Sequence, residues 1–148
     1  DSIMAKLTLE KAKKAVGIGS LVEKTIKFRG VDGEPFEGEI YIKVLSSDEV
    51  ANITDILELK KDEKYTINQY RDAMLVQTVF EGKDKPFFPD LKSTGQVSDE
   101  MKVAMYLAAD QVINFTGKYW ISTKSQNSTV NSSAAESVGE PSQKQEET

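Results

Sequence analysis

Apolar residues along the chain fall into two kinds of pattern, and both fade at one place. Residues 8–16 (TLEKAKKAV) have a helical spacing with Thr8 as cap, and the Gly17-Ile-Gly-Ser20 stretch breaks it. From 22 to 29 the pattern alternates: Val22, Ile26 and Phe28 share one parity, and Glu23, Thr25, Lys27 and Arg29 the other. From 36 to 44 it alternates again, with Phe36, Ile40, Ile42 and Val44 against Glu37, Glu39, Tyr41 and Lys43. Two half-buried strands around the turn Gly30-Val-Asp-Gly-Glu-Pro35 follow. A two-residue Asp32-Gly33 turn would set Arg29 against Phe36, apolar against polar. Pairing Phe28 with Phe36 keeps the faces consistent and places Lys27 opposite Glu37. The expectation is therefore a loop of odd length, five residues over 30–34.

Helical spacing then takes over. Ser46-Ser-Asp-Glu49 is a capping box and predicts a helix over 47–59, with Val50, Ile53 or Thr54, and Leu57 inward. Thr66-x-x-Gln69 is a second box, predicting a helix to about 81 that Gly82 ends, with Ile67, Tyr70, Met74 and Val79 on one face. Residues 83–96 read as a loop, in which Pro86-Phe87-Phe88-Pro89 holds two aromatics extended between prolines. Ser98 caps a last helix through about 115, where Met101, Met105, Ala108, Val112 and Phe115 form one stripe. Gly117 stops it, before Tyr119 and Trp120. Beyond Ile121 the only apolar residues are Val130, Ala134, Ala135 and Val138, too few to offset chain entropy. The predicted organisation is an expression scar over 1–3 before a natural start at Met4, one folded domain over 4–121, and a disordered polar tail over 122–148. Its fold class is α+β, mainly α-helical, an N-terminal β-hairpin packed with three to four helices.

Composition narrows the chemistry. The chain has no histidine and no cysteine. Disulfides, thiol nucleophiles, cysteine zinc sites and the usual general base are excluded, which leaves carboxylate-only chemistry. Asp48/Glu49 and Asp99/Glu100 are paired carboxylates, yet each pair sits in the first turn of a predicted helix, where negative charge is favourable. No calcium loop, nucleophile elbow or phosphate loop is present. The expectation is no enzyme, no catalytic or metal residue and no cofactor. No apolar run approaches the ~20 residues that span a bilayer. With no secretory signal at the start, a cytosolic protein is expected, and the sequons at Asn52, Asn114, Asn127 and Asn131 read as chance.

Net charge is −5, but residues 1–30 carry seven Lys/Arg against three Asp/Glu and the remainder twelve against twenty-one. Opposed ends can guide head-to-tail self-association; the plainer reading is a solvated lysine face. Lys11, Lys13, Lys14, Lys24, Lys27 and Arg29 have few interleaved aromatics in an acidic chain, so no nucleic-acid partner is expected. Phe87, Phe88, Tyr119 and Trp120 have two readings. They close the end of the core, or they anchor another chain.

The order of segments resembles the tail assembly chaperones of long-tailed, lambda-like bacteriophages. The likeness lies in the hairpin, the helix INQYRDAMLVQTVFEG (67–82), the proline–aromatic loop, the helix SDEMKVAMYLAADQVINFTGKYW (98–120) and the Ser/Glu/Pro/Gln tail. It covers residues 20–148. The resemblance implies a non-enzymatic, homo-oligomeric chaperone in the host cell cytoplasm, absent from the mature virion. Its implied partners are the tape measure protein and, through a frameshifted longer form, the tail tube protein. A phage structural or connector component is the alternative, and a small carboxylate-only enzyme the third reading.

Overall fold

The computed structural model describes residues 6–114, and those through Ile113 lie in one compact unit. Helix α1 (Leu9–Val16) begins at Thr8, whose hydroxyl accepts from the Lys11 amide, and ends at Gly17 with φ 68°. Strands β1 (Leu21–Arg29) and β2 (Pro35–Lys43) follow as an antiparallel hairpin. Phe28 lies opposite Phe36 and Lys27 opposite Glu37, the expected register, with a five-residue loop over 30–34. Gly30 N–H donates to the Glu34 carbonyl at 2.8 Å, Asp32 Oδ1 accepts from Glu34 N–H, and Gly33 takes φ 82°. The Lys27–Glu37 ion pair forms at 3.6 Å. Phe36 keeps the inward parity but stays more than half exposed, its ring 5.4 Å from that of Phe28.

Both capping boxes form, Ser46 with Glu49 and Thr66 with Gln69. The helices they start are shorter than expected. The first, α2 (Ser47–Ala51), gives way at Asn52 to a 3-10 turn over Ile53–Leu57. Gln77 Nε2 takes the Ile53 carbonyl at 2.8 Å, and the β-branched Ile53, Thr54 and Ile56 favour helix poorly. Ile53 is buried nonetheless, and Val50, Thr54 and Leu57 are half-buried.

The second, α3 (Ile67–Thr78), ends three residues before the expected point. Thr78 Oγ1 donates to the Met74 carbonyl at 2.7 Å, and Val79 turns to extended geometry. β3 (Val79–Gly82) then pairs with β2, Val79 against Ile42 and Phe80 against Tyr41. A turn through Asp84, at φ 59°, leads to β4 (Lys85–Pro86). Gly82 therefore ends a strand, and Ile67 is 68 % exposed rather than inward. The free side of β2 offered a hydrogen-bonded ladder to a β-branched segment, and that pairing overrode the helical spacing.

The result is mixed α+β, with one antiparallel sheet of four strands in the order β1-β2-β3-β4 in place of a lone hairpin. The expected loop over 83–96 contains β4 and a 3-10 turn, Lys92–Gln96. The last helix, α4 (Asp99–Ile113), starts at Ser98, whose Oγ accepts from Met101 N–H. Its stripe is core: Met105, Ala108, Ala109 and Val112 are buried and Met101 packs against them. They meet Ile26, Ile40 and Ile42 from the sheet and Met74 and Leu75 from α3 in one cluster. Each fully buried aliphatic side chain there contributes ~1.5–3 kcal/mol. Phe115, Gly117 and the expected tail lie outside the described residues.

Candidate interaction surface

The two aromatics between prolines face the core. Phe88 is 3 % exposed and Phe87 half-buried, their rings edge to face at 4.9 Å. Phe87 N–H donates to the Val79 carbonyl, which fixes the segment under β3. Of its two readings, Phe88 takes the first: its ring belongs to the core cluster. Tyr119 and Trp120 lie outside the described residues.

The six basic residues do not form one patch. Lys27 pairs with Glu37, Arg29 Nε with Glu100 at 3.1 Å, and Lys24 Nζ donates to Gln111. Lys11, Lys13 and Lys14 stand together on α1, where Lys13 meets Glu10 at 3.5 Å. Asp48/Glu49 and Asp99/Glu100 do occupy first helical turns, and Glu49 and Glu100 are spent on a cap and on Arg29. Among the described residues no group of three or more acidic side chains is placed to hold a metal ion.

Two other surfaces carry exposed apolar groups. One is α1. Leu9, Ala12 and Val16 follow one another at spacings of three and four and so share a face. None of its residues is buried; Leu9 is 74 % and Val16 55 % exposed. Leu7 before the helix and Ile18 after it extend the stripe. A shallow groove runs from Ala12 and Val16 past Ile18 to Leu45 and Ser46. Lys11 and Lys14 stand on the opposite side of the helix, and Lys13 borders the groove. This is a basic amphipathic helix with none of its residues buried, only Ala12 half-covered.

The second surface lies between α3 and α4. A cleft of about 200 Å³ is lined by Asn68, Arg71, Asp72, Asp99, Lys102 and Val103. Lys102 Nζ meets Asp72 Oδ1 at 2.8 Å, with both side chains largely covered. The Arg71 guanidinium lies 5.1 Å from the centre of the Tyr106 ring, a cation–π contact. Its Nε is buried without a hydrogen-bond partner. Tyr65 stacks on Tyr70 at 6.1 Å. Burial, with Asp110 and Tyr70 adding and Arg71 opposing, pushes the Tyr106 phenol up to about 12. Burial raises Tyr70 too, ahead of Tyr65 and Asp110. Both phenols are neutral at physiological pH, so their rings and hydroxyls add no charge to that of Arg71, Asp72, Asp99 and Lys102. Ile67 and Val103 are exposed around this surface.

The helical spacing of 8–16 placed α1, but a helix's pattern says nothing of whether a partner element will reach it. The α3/α4 face was missed because Arg71 and Tyr106, far apart in sequence, meet only when those helices pack. Comparison of the chain with protein-family models, curated proteins and solved structures gives no match. No helix among the described residues is long and apolar enough to cross a membrane.

Proposed function

We propose that this chain is a non-enzymatic, partner-holding protein, a tail assembly chaperone of a long-tailed phage. In that role it binds the tape measure protein in the host cytoplasm and keeps it soluble until tube subunits enclose it. The observation that carries the reading is α1, a capped amphipathic helix with no buried residue. An eight-residue helix is too short to be stable alone in water, and an apolar stripe facing solvent gains from a complementary helix. The resemblance of the segment order to the lambda-like chaperones is the ground for choosing the tape measure protein as partner, and the Tyr65/Tyr70/Arg71/Tyr106 face offers a second contact of the residue types that dominate interfaces.

Co-expression with a candidate tape measure protein tests the reading. The partner is expected in the soluble fraction with the wild-type chain and to leave it with Leu9→Asp/Val16→Asp. A partner no more soluble with the chain than without it refutes the chaperone role. A structural or connector component is the second reading, favoured by a sheet of four strands rather than a lone hairpin. Mass spectrometry of purified virions separates the two, since a chaperone is absent from them.

A further inference from the structure

Strand β1 is the edge of the sheet, and its phase shows which backbone groups face outward. Val44 N–H donates to the Ser20 carbonyl and Gly30 N–H to that of Glu34, so even-numbered residues of β1 bond to β2. Leu21, Glu23, Thr25, Lys27 and Arg29 therefore turn N–H and C=O away from it. Arg29 confirms the phase: its N–H, on that outer side, is met by Glu100 Oε1 at 3.4 Å. No described strand lies along the rest of this nine-residue edge. A long open edge is a template for another strand.

The edge is self-complementary. An antiparallel copy paired about Thr25 sets outward-bonding residues against each other, Thr25 on Thr25 and Glu23 on Lys27, the latter twice by symmetry. Glu23 stands beside Glu39 on the same face, two carboxylates that a cation across the axis would relieve. The flank of α4 next to this edge is also apolar. Glu100 and Gln111 reach β1, and Ala104 and Leu107 lie on the same side of the helix by its 3.6-residue period. Leu107 is 57 % exposed.

We infer that two copies of this chain join edge to edge through β1, making a continuous eight-stranded sheet with Leu107 of each α4 facing the other copy beneath it. The arrangement is two-fold and closed, unlike the head-to-tail assembly that the charge asymmetry alone would favour, and it does not depend on the chaperone reading.

Light scattering on the full chain tests it. Wild type is expected at twice 16.4 kDa. Lys27→Glu, which sets acid against Glu23 of the second copy, is expected to give monomer, and Glu23→Lys/Lys27→Glu to restore the dimer. Thr25→Pro removes an outward N–H that β2 does not use, and Leu107→Glu charges the helical flank; each is expected to shift the mass to monomer with far-ultraviolet circular dichroism unchanged. Monomeric wild type at the highest concentration reached overturns the inference. So does a dimer whose mass is indifferent to Lys27→Glu, Thr25→Pro and Leu107→Glu alike.

Discussion

Helices α1 and α4 begin alike and end differently. Each has a hydroxyl cap, Thr8 or Ser98, and each has a single apolar stripe. The stripe of α4 is sealed between β1 and α3, with four residues buried; that of α1 has none buried and Leu9 and Val16 more than half exposed. Local sequence decides that a helix forms, and the arrival of a partner decides what its stripe is for. In α4 the stripe holds the domain together. In α1 it stays on the surface, where an exposed apolar patch is available to a partner.

The largest separation of the two comes from truncating one residue in each stripe. Met105→Ala is expected to lower unfolding free energy by about 2–5 kcal/mol in urea titration. Leu9→Ala is expected to change it by less than about 0.5 kcal/mol and to weaken partner capture instead. Equal losses from both would break the comparison.

Alkaline titration comes next. The unfolded Tyr106 phenol ionises near 10.0 and the native one at about 12. The native state then holds its proton more tightly, so stability is complete below pH 10 and falls as pH climbs through 12. The difference amounts to roughly 2–3 kcal/mol. Tyr106→Phe is expected to remove most of that alkaline loss, read as unfolding midpoints from pH 9 to 12.

Caps sharpen the contrast at smaller scale. Ser46→Ala and Thr66→Ala are each expected to cost ~1 kcal/mol of global stability. Thr8→Ala is expected to leave the global transition in place and to reduce only helical signal from α1. The smallest effect is acidic. A hydrogen bond that protonated Glu39 donates to the Glu23 carboxylate, and then the Glu23 charge, raise Glu39 above the ordinary carboxylate value. Stability from this site therefore rises as pH falls from neutral toward 4.5, and Glu39→Gln is expected to abolish that rise in thermal midpoint.

Much of this fold is legible in the sequence, and what escaped has a common cause. The hairpin register followed from parity and one charge pair, because a one-residue slip would expose Ile26 and Ile40. Both capping boxes and the stripe of α4 were equally local signals. The strand at Val79–Gly82 escaped because Val76 to Phe80 fits a helical face as well as a strand, and only the open side of β2 decides between them. The β-branched run and the Gly82–Pro86 turn signals were the available clue. Phe88 was ambiguous for the same reason, since nothing local tells a core aromatic from an anchor. Ile67 was assigned inward by spacing, but the core stops short of the first turn of α3.

The most direct test of the exposed helix is hydrogen exchange on the full chain, alone and mixed with a candidate tape measure protein. In the free chain, amides of Leu9–Val16 are expected to exchange nearly as fast as in an unstructured peptide, while those around Met105 exchange slowest. Protection at Leu9–Val16 is expected to appear in the complex. Protection there as strong as in α4 before any partner is added, or unchanged after it, would contradict the account.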